Sequence, residues 1–184
     1  SNCSHEENLK DASILTTMIQ KLNNLKYPTL AVIKGAAFGG GVGLISCCDI
    51  ALASENSIFS LSEVKVGLIP ATISPYVINA IGARNARRLF TSGERFDSNI
   101  AKQINLVHEI AKEEDLEKRI SYFINHFKQN GPQAVIAAKK IVLDIFNKEI
   151  DDSVISHTCE VISALRTSKE GREGVTAFLE KRNP

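Results

Sequence analysis

The sequence has little of what marks nucleic-acid-binding and membrane-spanning proteins. Among 184 residues there is no tryptophan, only 6% are aromatic and the formal net charge is +1. A nearly neutral chain with no basic, aromatic-rich stripe offers little to a phosphate backbone. Lys34, Asp49 and Glu55 interrupt the most apolar part, so no stretch reaches the roughly 20 apolar residues that cross a bilayer. We therefore expect neither a nucleic-acid nor a membrane partner.

The chain also lacks the spacings typical of metal centres and disulfide frameworks. None of the four cysteines has a C-x-x-C partner, and the four histidines lack metal-ligand spacing on one predicted element. The adjacent Cys47 and Cys48 fall in an apolar helical stretch, which favours buried, reduced thiols. Residues 1–7 contain neither the basic nor the apolar region of a secretory signal. We predict a soluble, cytoplasmic protein without a metal.

Apolar residues are distributed as in an α/β segment followed by a helical segment. With 43% hydrophobic residues the chain is able to bury a core. The first part is predicted as helix 9–25, strand 29–34, helix 42–48, strand 50–53 and strand 58–61. From Pro70 onward only helices are predicted: 74–81, 84–90, a helix capped by Asp97, 113–129, 132–146, 151–165 and 170–181. We therefore divide the chain into an α/β core over residues 1–95 and a helical region over residues 96–184.

Three consecutive glycines, Gly39 to Gly41, follow the first predicted strand. Bare backbone at a strand-to-helix junction exposes N–H groups that can hold an anion or an oxyanion. The spacing argues against a nucleotide phosphate loop, because Leu44 stands where a dinucleotide fingerprint needs its third glycine and no Lys-Ser/Thr pair follows. The alternative is a tight turn whose glycines only permit close packing.

Glu63 is the second residue with an evident chemical use. It follows the third predicted strand and lies between apolar neighbours such as Leu61 and Val64. Apolar surroundings disfavour a charged carboxylate and suit it to general acid/base work. Taken singly, a glutamate is more often a solvated surface residue, so its assignment depends on the wider pattern.

The wider pattern resembles the enoyl-CoA hydratase/isomerase, or crotonase, family. Matching segments run in order along nearly the whole chain: residues 31–41 (AVIKGAAFGGG), 48–51 (CDIA), 62–64 (SEV), 67–70 (GLIP), 80–82 (AIG), 91–97 (TSGERFD), 106–107, 170–171 and 177–182 (AFLEKR). The resemblance implies an α/β fold, a crotonase-type spiral of strand-strand-helix units followed by C-terminal helices that pack the chain into a homotrimer or hexamer. It also implies a segment before residue 8 that this sequence does not contain and that would supply one oxyanion-hole N–H.

The resemblance also implies roles for individual residues. Gly40 N–H becomes one of two donors to the thioester oxygen of an acyl-CoA, and Glu63 becomes the group that activates water or moves a proton on the acyl chain. Coenzyme A is then part of the substrate, and no separate cofactor is expected. The residues expected to line the substrate site are Ala36, Phe38, Gly39, Gly41, Gly43, Pro70 and Tyr76.

Two parts of the chain depart from the family pattern. Straight-chain hydratases have a second glutamate at the position of Gly43, and a glycine-rich loop where this chain has residues 71–77 (ATISPYV). Both departures, with residues 46–49 (SCCD), resemble the methylglutaconyl-CoA hydratase branch. We predict a hydratase that adds water across the 2,3 double bond of an acyl-CoA, with 3-methylglutaconyl-CoA as the candidate substrate. The alternatives are a Δ3,Δ2-enoyl-CoA isomerase, which needs one base, a non-catalytic CoA-binding scaffold, and the RNA-binding role of one eukaryotic branch, which the low net charge disfavours.

Overall fold

The computed structural model describes residues 3–183, in which the chain opens on helix α1, His5–Asn23. Ser4 begins this helix with a capping box: its Oγ accepts the Glu7 N–H at 3.2 Å, and Glu7 Oε2 accepts the Ser4 N–H at 2.7 Å. Ile19 is fully buried, whereas Ile14 and Met18 are 61% and 46% exposed. The helix therefore contributes to the core through its C-terminal half.

Short strands build two sheets within the described residues. The strands are β1 Leu30–Ile33, β2 Ala36–Phe38, β3 Ile50–Ser54, β4 Ile58–Ser60, β5 Arg95–Asp97 and β6 Glu109–Ala111. The first sheet has the order β1-β3-β6 and all of its pairs are parallel. The second has the order β2-β4-β5, with β2 parallel and β5 antiparallel to β4.

The first four strands alternate between the two sheets, and a helix returns the chain to the first sheet. β1 is followed by β2 in the other sheet, then by a helix and β3, which pairs with β1. β4 again belongs to the second sheet and pairs with β2. This is the strand-strand-helix spiral that the resemblance implies.

Seven more helices follow α1 in the described part of the chain: α2 Gly40–Ser46, α3 Ser74–Ser92, α4 Ser98–Gln103, α5 Leu116–Lys128, α6 Pro132–Ile145, α7 Asp152–Thr167 and α8 Lys169–Leu179. The helix α3 is interrupted at Gly82, whose φ of 75° and ψ of 155° are not helical. The sequence pattern predicts this interruption as two separate helices. Asp97 caps α4 as predicted, because its Oδ1 accepts the Ile100 N–H at 2.9 Å.

The core lies between the sheets and the helices that return from them. Burial is continuous along most of β3 and the end of β4, with Leu52 and Phe59 completely inaccessible to solvent. The Phe59 ring stacks on that of Phe96 from β5, with 5.5 Å between ring centroids. Val42 of α2 and Val77 of α3 are equally buried. This packing fixes α2 and α3, the two helices that border the candidate site.

The chain divides into two compact units. The first comprises Ser1–Leu25 with Thr29–Ile120, and the second comprises Lys26–Pro28 with Ser121–Pro184. Helix α5 runs across the division, and α6, α7 and α8 belong to the second unit. The boundary between residues 95 and 96 that the sequence predicts lies inside the first unit.

Three strands differ from the sequence prediction. The expectation that the chain is helical throughout from Pro70 onward is wrong at β5 and β6, and the glycine-rich turn after β1 contains β2. Each of these strands has three residues, too few to show an alternating pattern. They exist because of partners far along the chain, Phe96 beside Phe59 and Ile110 beside Ala53.

Candidate active site

Gly39 turns the chain from β2 into α2. Its N–H donates to Ser60 O at 2.9 Å, which extends the β2–β4 pairing by one residue, and its carbonyl accepts the N–H of Val42 at 2.9 Å and of Gly43 at 3.2 Å. Its φ of 49° and ψ of −115° lie in a region that residues with a Cβ rarely adopt. The junction therefore requires glycine at position 39.

The next two amides, of Gly40 and Gly41, are available to a ligand. The first N–H groups of a helix have no intrahelical acceptor, and among the described backbone groups neither of these two finds one elsewhere. Gly40 is exposed, and nothing lies within 4 Å of the point where its Cβ would be. A carbonyl oxygen could approach Gly40 closely, as an oxyanion donor requires.

Glu63 begins a 3₁₀ turn, Glu63–Val66, shortly after the end of β4. The Glu63 carbonyl accepts the Leu68 N–H at 3.0 Å, and the Val64 carbonyl accepts the Gly67 N–H at 3.3 Å. Gly93 packs against the same turn, since a Cβ built on it would lie 3.1 Å from Val64 Cγ2. The backbone that carries Glu63 is thus held from both sides.

The carboxylate of Glu63 lies against Gly39. A Cβ built on Gly39 would be 2.7 Å from Glu63 Oε1 and 3.3 Å from Glu63 Cδ. Among the described side chains, Glu63 Oε2 is the buried polar atom that has no hydrogen-bond partner. A buried carboxylate oxygen without a partner costs stability, so its retention points to a functional use. The carboxylate therefore lies against Gly39, the residue that precedes Gly40 in the chain.

The other predicted site residues occupy different environments. Ala36 and Phe38 are exposed on β2, and the Arg95 guanidinium lies 5.4 Å from the centroid of the Phe38 ring. Gly41 is half-buried, with 3.7 Å between its built Cβ and Ala37 Cβ. Pro70 is buried.

Gly43 is buried beneath Ile73. A Cβ built on Gly43 would lie 2.2 Å from Ile73 Cγ2 and 2.6 Å from Ile73 Cβ. Ile73 itself is 2% exposed. The position at which the resemblance expects a second glutamate therefore has no space for a side chain.

Tyr76 is half-buried on α3 and lies near Cys47. Burial raises the pKa of the Tyr76 phenol, and the Cys47 thiol adds to the effect. Burial raises the pKa of the Cys47 thiol to about 12, with a smaller contribution from Cys48. A raised pKa favours the neutral form of each group, so neither is suited to act as a base.

Two contributors to the site were not predicted from the sequence. Ile73 lies in the segment that departs from the family pattern, which was the signal that could have directed attention to it. Arg95 gave no signal, because its contact with Phe38 depends on the pairing of β2, β4 and β5.

The described residues contain neither a metal-ligand cluster nor a membrane-spanning helix. Within residues 3–183 no three His, Cys, Asp or Glu side chains are grouped so that they could hold a metal ion. Over the same residues, no helix has both the length and the apolar character needed to cross a membrane.

Comparison with known proteins identifies the family. A sequence model of the enoyl-CoA hydratase/isomerase family matches residues 4–184. The chain therefore belongs to that family. It is 33% identical over 152 residues to the enoyl-CoA hydratase ACTT6 of Alternaria alternata, covering 82% of this chain and 50% of the relative. It is 32% identical over 168 residues to the mitochondrial Delta(3,5)-Delta(2,4)-dienoyl-CoA isomerase of Dictyostelium discoideum, covering 90% of this chain and 57% of the relative.

The fold is shared with solved structures. An enoyl-CoA hydratase from Shewanella pealeana is 43% identical and superimposes with a TM-score of 0.94, covering 99% of this chain and 68% of that one. This confirms the predicted crotonase-type fold. The chain spans about half the length of the two curated relatives described above.

Proposed function

We propose that this chain carries the acyl-CoA site of an enoyl-CoA hydratase in which Glu63 is the single acid/base group. The observation that carries the proposal is the packing of the Glu63 carboxylate against Gly39, beside the unbonded Gly40 amide. Addition of water to an enoyl thioester needs one group that moves protons and one that stabilises negative charge on the thioester oxygen. Glu63 and Gly40 are suited to these two roles.

Gly40 N–H is proposed to donate to the thioester oxygen. Negative charge grows on that oxygen as the enolate forms, so the hydrogen bond is stronger in the transition state than in the substrate. A preorganised donor of this kind is worth roughly 3 to 4 kcal/mol. The open space around Gly40 leaves room for the thioester to reach the amide.

One carboxylate is sufficient for the proton transfers. Glu63 takes a proton from water, the water oxygen bonds to C3, and the electron pair of the 2,3 double bond moves toward the thioester oxygen. The protonated Glu63 then returns the proton to C2 as the enolate collapses, which restores the carboxylate. The elements of one water molecule are added, and Glu63 finishes in its initial state.

Isomerisation is the second candidate, because it requires the same two groups and no water. Glu63 would remove a proton from C2 of a 3-enoyl thioester and return it to C4, shifting the double bond to the 2,3 position. The closed position at Gly43 favours this candidate, since no second acid is available there to hold a water. A relative with a dienoyl-CoA isomerase name also supports it.

The finer parts of the proposal depend on the resemblance to one branch. 3-Methylglutaconyl-CoA is proposed as the substrate because Gly43 and residues 71–77 resemble the branch that hydrates it. Assembly as a homotrimer or hexamer and a cytoplasmic location are proposed in the same way. The alternative is a non-catalytic scaffold, which would bind CoA without converting a thioester.

The test is a turnover assay of the full-length protein with three thioesters. 3-Methylglutaconyl-CoA, crotonyl-CoA and a 3-enoyl-CoA are compared side by side at equal concentration. Hydration of the first above the second supports the proposal, and conversion of the 3-enoyl-CoA alone supports the isomerase. Turnover of none of the three, by protein that binds CoA, supports the scaffold.

Glu63→Gln identifies the acid/base group in the same assay. The amide keeps the shape of the side chain but cannot exchange protons, so we expect kcat to fall by at least about a hundredfold with KM nearly unchanged. Glu55→Gln is the matched control, because Glu55 is an exposed carboxylate in the turn between β3 and β4. Near-normal turnover of Glu63→Gln would remove Glu63 from the mechanism.

A further inference from the structure

Glu63 and Ile73 pack on one face of α2, one helical turn apart. Gly43 N–H donates to Gly39 O at 3.2 Å, so positions 39 and 43 lie one above the other along the helix. The Glu63 carboxylate covers the first of these positions and the Ile73 side chain covers the second. Glu63 therefore contacts position 39, and Ile73, ten residues later, contacts position 43 one turn further along the helix.

The contacts at Gly39 and Gly43 differ in how easily the neighbouring atoms could move to make room for a Cβ. At Gly39 the nearest atom is Oε1, at the end of a flexible side chain. At Gly43 the nearest atoms are Cγ2 and Cβ of Ile73, and Cβ is attached to the backbone. A side chain at position 43 would therefore displace the backbone at Ile73, with fully buried Val42 and Val77 beside it.

A displacement at Ile73 would reach Glu63, because short-range hydrogen bonds connect the intervening turns. Leu68 N–H donates to Glu63 O at 3.0 Å, and Ala71 N–H donates to Ile69 O at 2.8 Å. Ser74 N–H then donates to Ala71 O at 3.2 Å, and Pro70 between these turns is buried. These hydrogen bonds join successive turns between Glu63 and Ser74, so a shift at Ile73 is passed along the segment.

We propose that Gly43 and Ile73 are a positioning pair that holds the segment 63–73 against α2 and so sets where the Glu63 carboxylate lies relative to the Gly40 amide. Gly43, which the resemblance expects to line the substrate site, is instead covered by the buried Ile73, so both residues act through Glu63. The same contact closes position 43 to a second acidic side chain. The two departures from the family pattern, Gly43 and the segment 71–77, are thereby one structural feature. The inference rests on the proposed function of Glu63 and Gly40.

The test is a double-mutant cycle in the full-length protein with Gly43→Ala and Ile73→Gly. Gly43→Ala adds the methyl group that Ile73 excludes, and Ile73→Gly removes the three atoms that would lie nearest to that methyl group, Cγ2, Cβ and Cδ1 of Ile73. We expect Gly43→Ala to lower kcat about 10- to 100-fold with KM within about twofold, because small misplacements of catalytic groups cost rate. The double variant should recover kcat to within about threefold of Ile73→Gly alone.

Thermal unfolding gives a readout that does not need turnover. Gly43→Ala should lower Tm by about 4 °C or more in the native background and by less than about 1 °C in the Ile73→Gly background. Gly174→Ala is the matched control, a helical glycine with nothing within 4 Å of its built Cβ, and its effect should be the same in both backgrounds. Equal effects of Gly43→Ala on Tm in the two backgrounds would overturn the packing pair.

A crystal structure of Gly43→Ala separates this inference from the proposed function. A carboxylate of Glu63 that has moved away from Gly39 supports the positioning role, even if no thioester is turned over. An unmoved carboxylate, or a double variant no faster than Gly43→Ala in an active protein, overturns it. If only the proposed function were wrong, the native protein would be inactive, but Gly43→Ala would still lower Tm more in the native background than in the Ile73→Gly background.

Discussion

The side chain of Glu63 occupies space that only a glycine at position 39 leaves open. Its Oε1 atom lies 2.7 Å from where a Cβ at that position would be, which is closer than non-bonded atoms approach. The positive φ of 49° at Gly39 adds a second, independent requirement for glycine. Backbone conformation and the position of the Glu63 carboxylate therefore both require glycine at position 39.

Gly39→Ala should reduce activity and stability together. The added methyl group would push the carboxylate away from Gly40, so we expect kcat to fall by about a hundredfold. Strain at the positive φ should also cost about 1 to 3 kcal/mol of unfolding free energy. Steady-state kinetics and denaturant unfolding measure the two effects separately.

Gly35→Ala is the control that isolates backbone strain. Gly35 has a φ of 77° and nothing within 4 Å of its built Cβ. It should lose a similar amount of stability while kcat stays within about twofold of the native value. If both variants lost activity equally, strain in β2 and not displacement of Glu63 would be the cause.

At residue scale the candidate residues of the site could be predicted from the sequence, whereas their contacts could not. Gly40 and Glu63 are identified by their place in a family pattern that runs in order along the chain. The contacts of Gly39 with Glu63 and of Gly43 with Ile73 join residues far apart in sequence. Such contacts depend on how tightly α2 and the following segment pack, which no local pattern contains.

At the scale of elements, helices were predictable because each carries its own signal. The apolar period and the capping residues of α4 and α7 are local, and Asp151 Oδ1 accepts the Val154 N–H at 2.9 Å as a cap should. The strands β2, β5 and β6 have no such signal, since three residues cannot show a period. Their hydrogen bonds come from partners that the sheet supplies.

The N-terminus of α6 is capped from another helix. Its own N-cap residue is Gly131, which has no side chain, and the Glu170 carboxylate of α8 accepts the N–H groups of Gln133 at 3.0 Å and Ala134 at 2.9 Å. A carboxylate at this end of a helix satisfies open donors and complements the helix dipole. Glu170 thereby links α6 and α8 within the second unit.

Glu170→Ala should destabilise the second unit. Loss of a cap of this kind costs about 1 to 2 kcal/mol, because two N–H groups of the first helical turn lose their acceptor. Denaturant unfolding followed by circular dichroism measures the loss. Glu160→Ala, an exposed glutamate of α7, should change stability by less than about 0.5 kcal/mol. Equal effects of the two variants would mean that the cap contributes nothing beyond an ordinary surface charge.

At the scale of the whole molecule, one unexplained feature is the apolar surface of α8. Val175, Phe178 and Leu179 are 56%, 80% and 73% exposed, and their spacing places them on one side of the helix. Ala177 is buried on another side. Contiguous exposed apolar side chains mark interaction sites, and the proposed trimer assembles through C-terminal helices.

We expect the full-length protein to be a trimer, or a pair of trimers, in which these α8 side chains are covered. Replacing Phe178 and Leu179 together by lysine would place two charges in an apolar contact, so the trimer should dissociate toward monomers. Size-exclusion chromatography with light scattering measures the mass. Thr176→Lys adds a charge to an exposed polar position of the same helix and should leave the assembly intact. A native protein that is monomeric at micromolar concentration, or a double lysine variant that keeps the native mass, would show that α8 has a different partner.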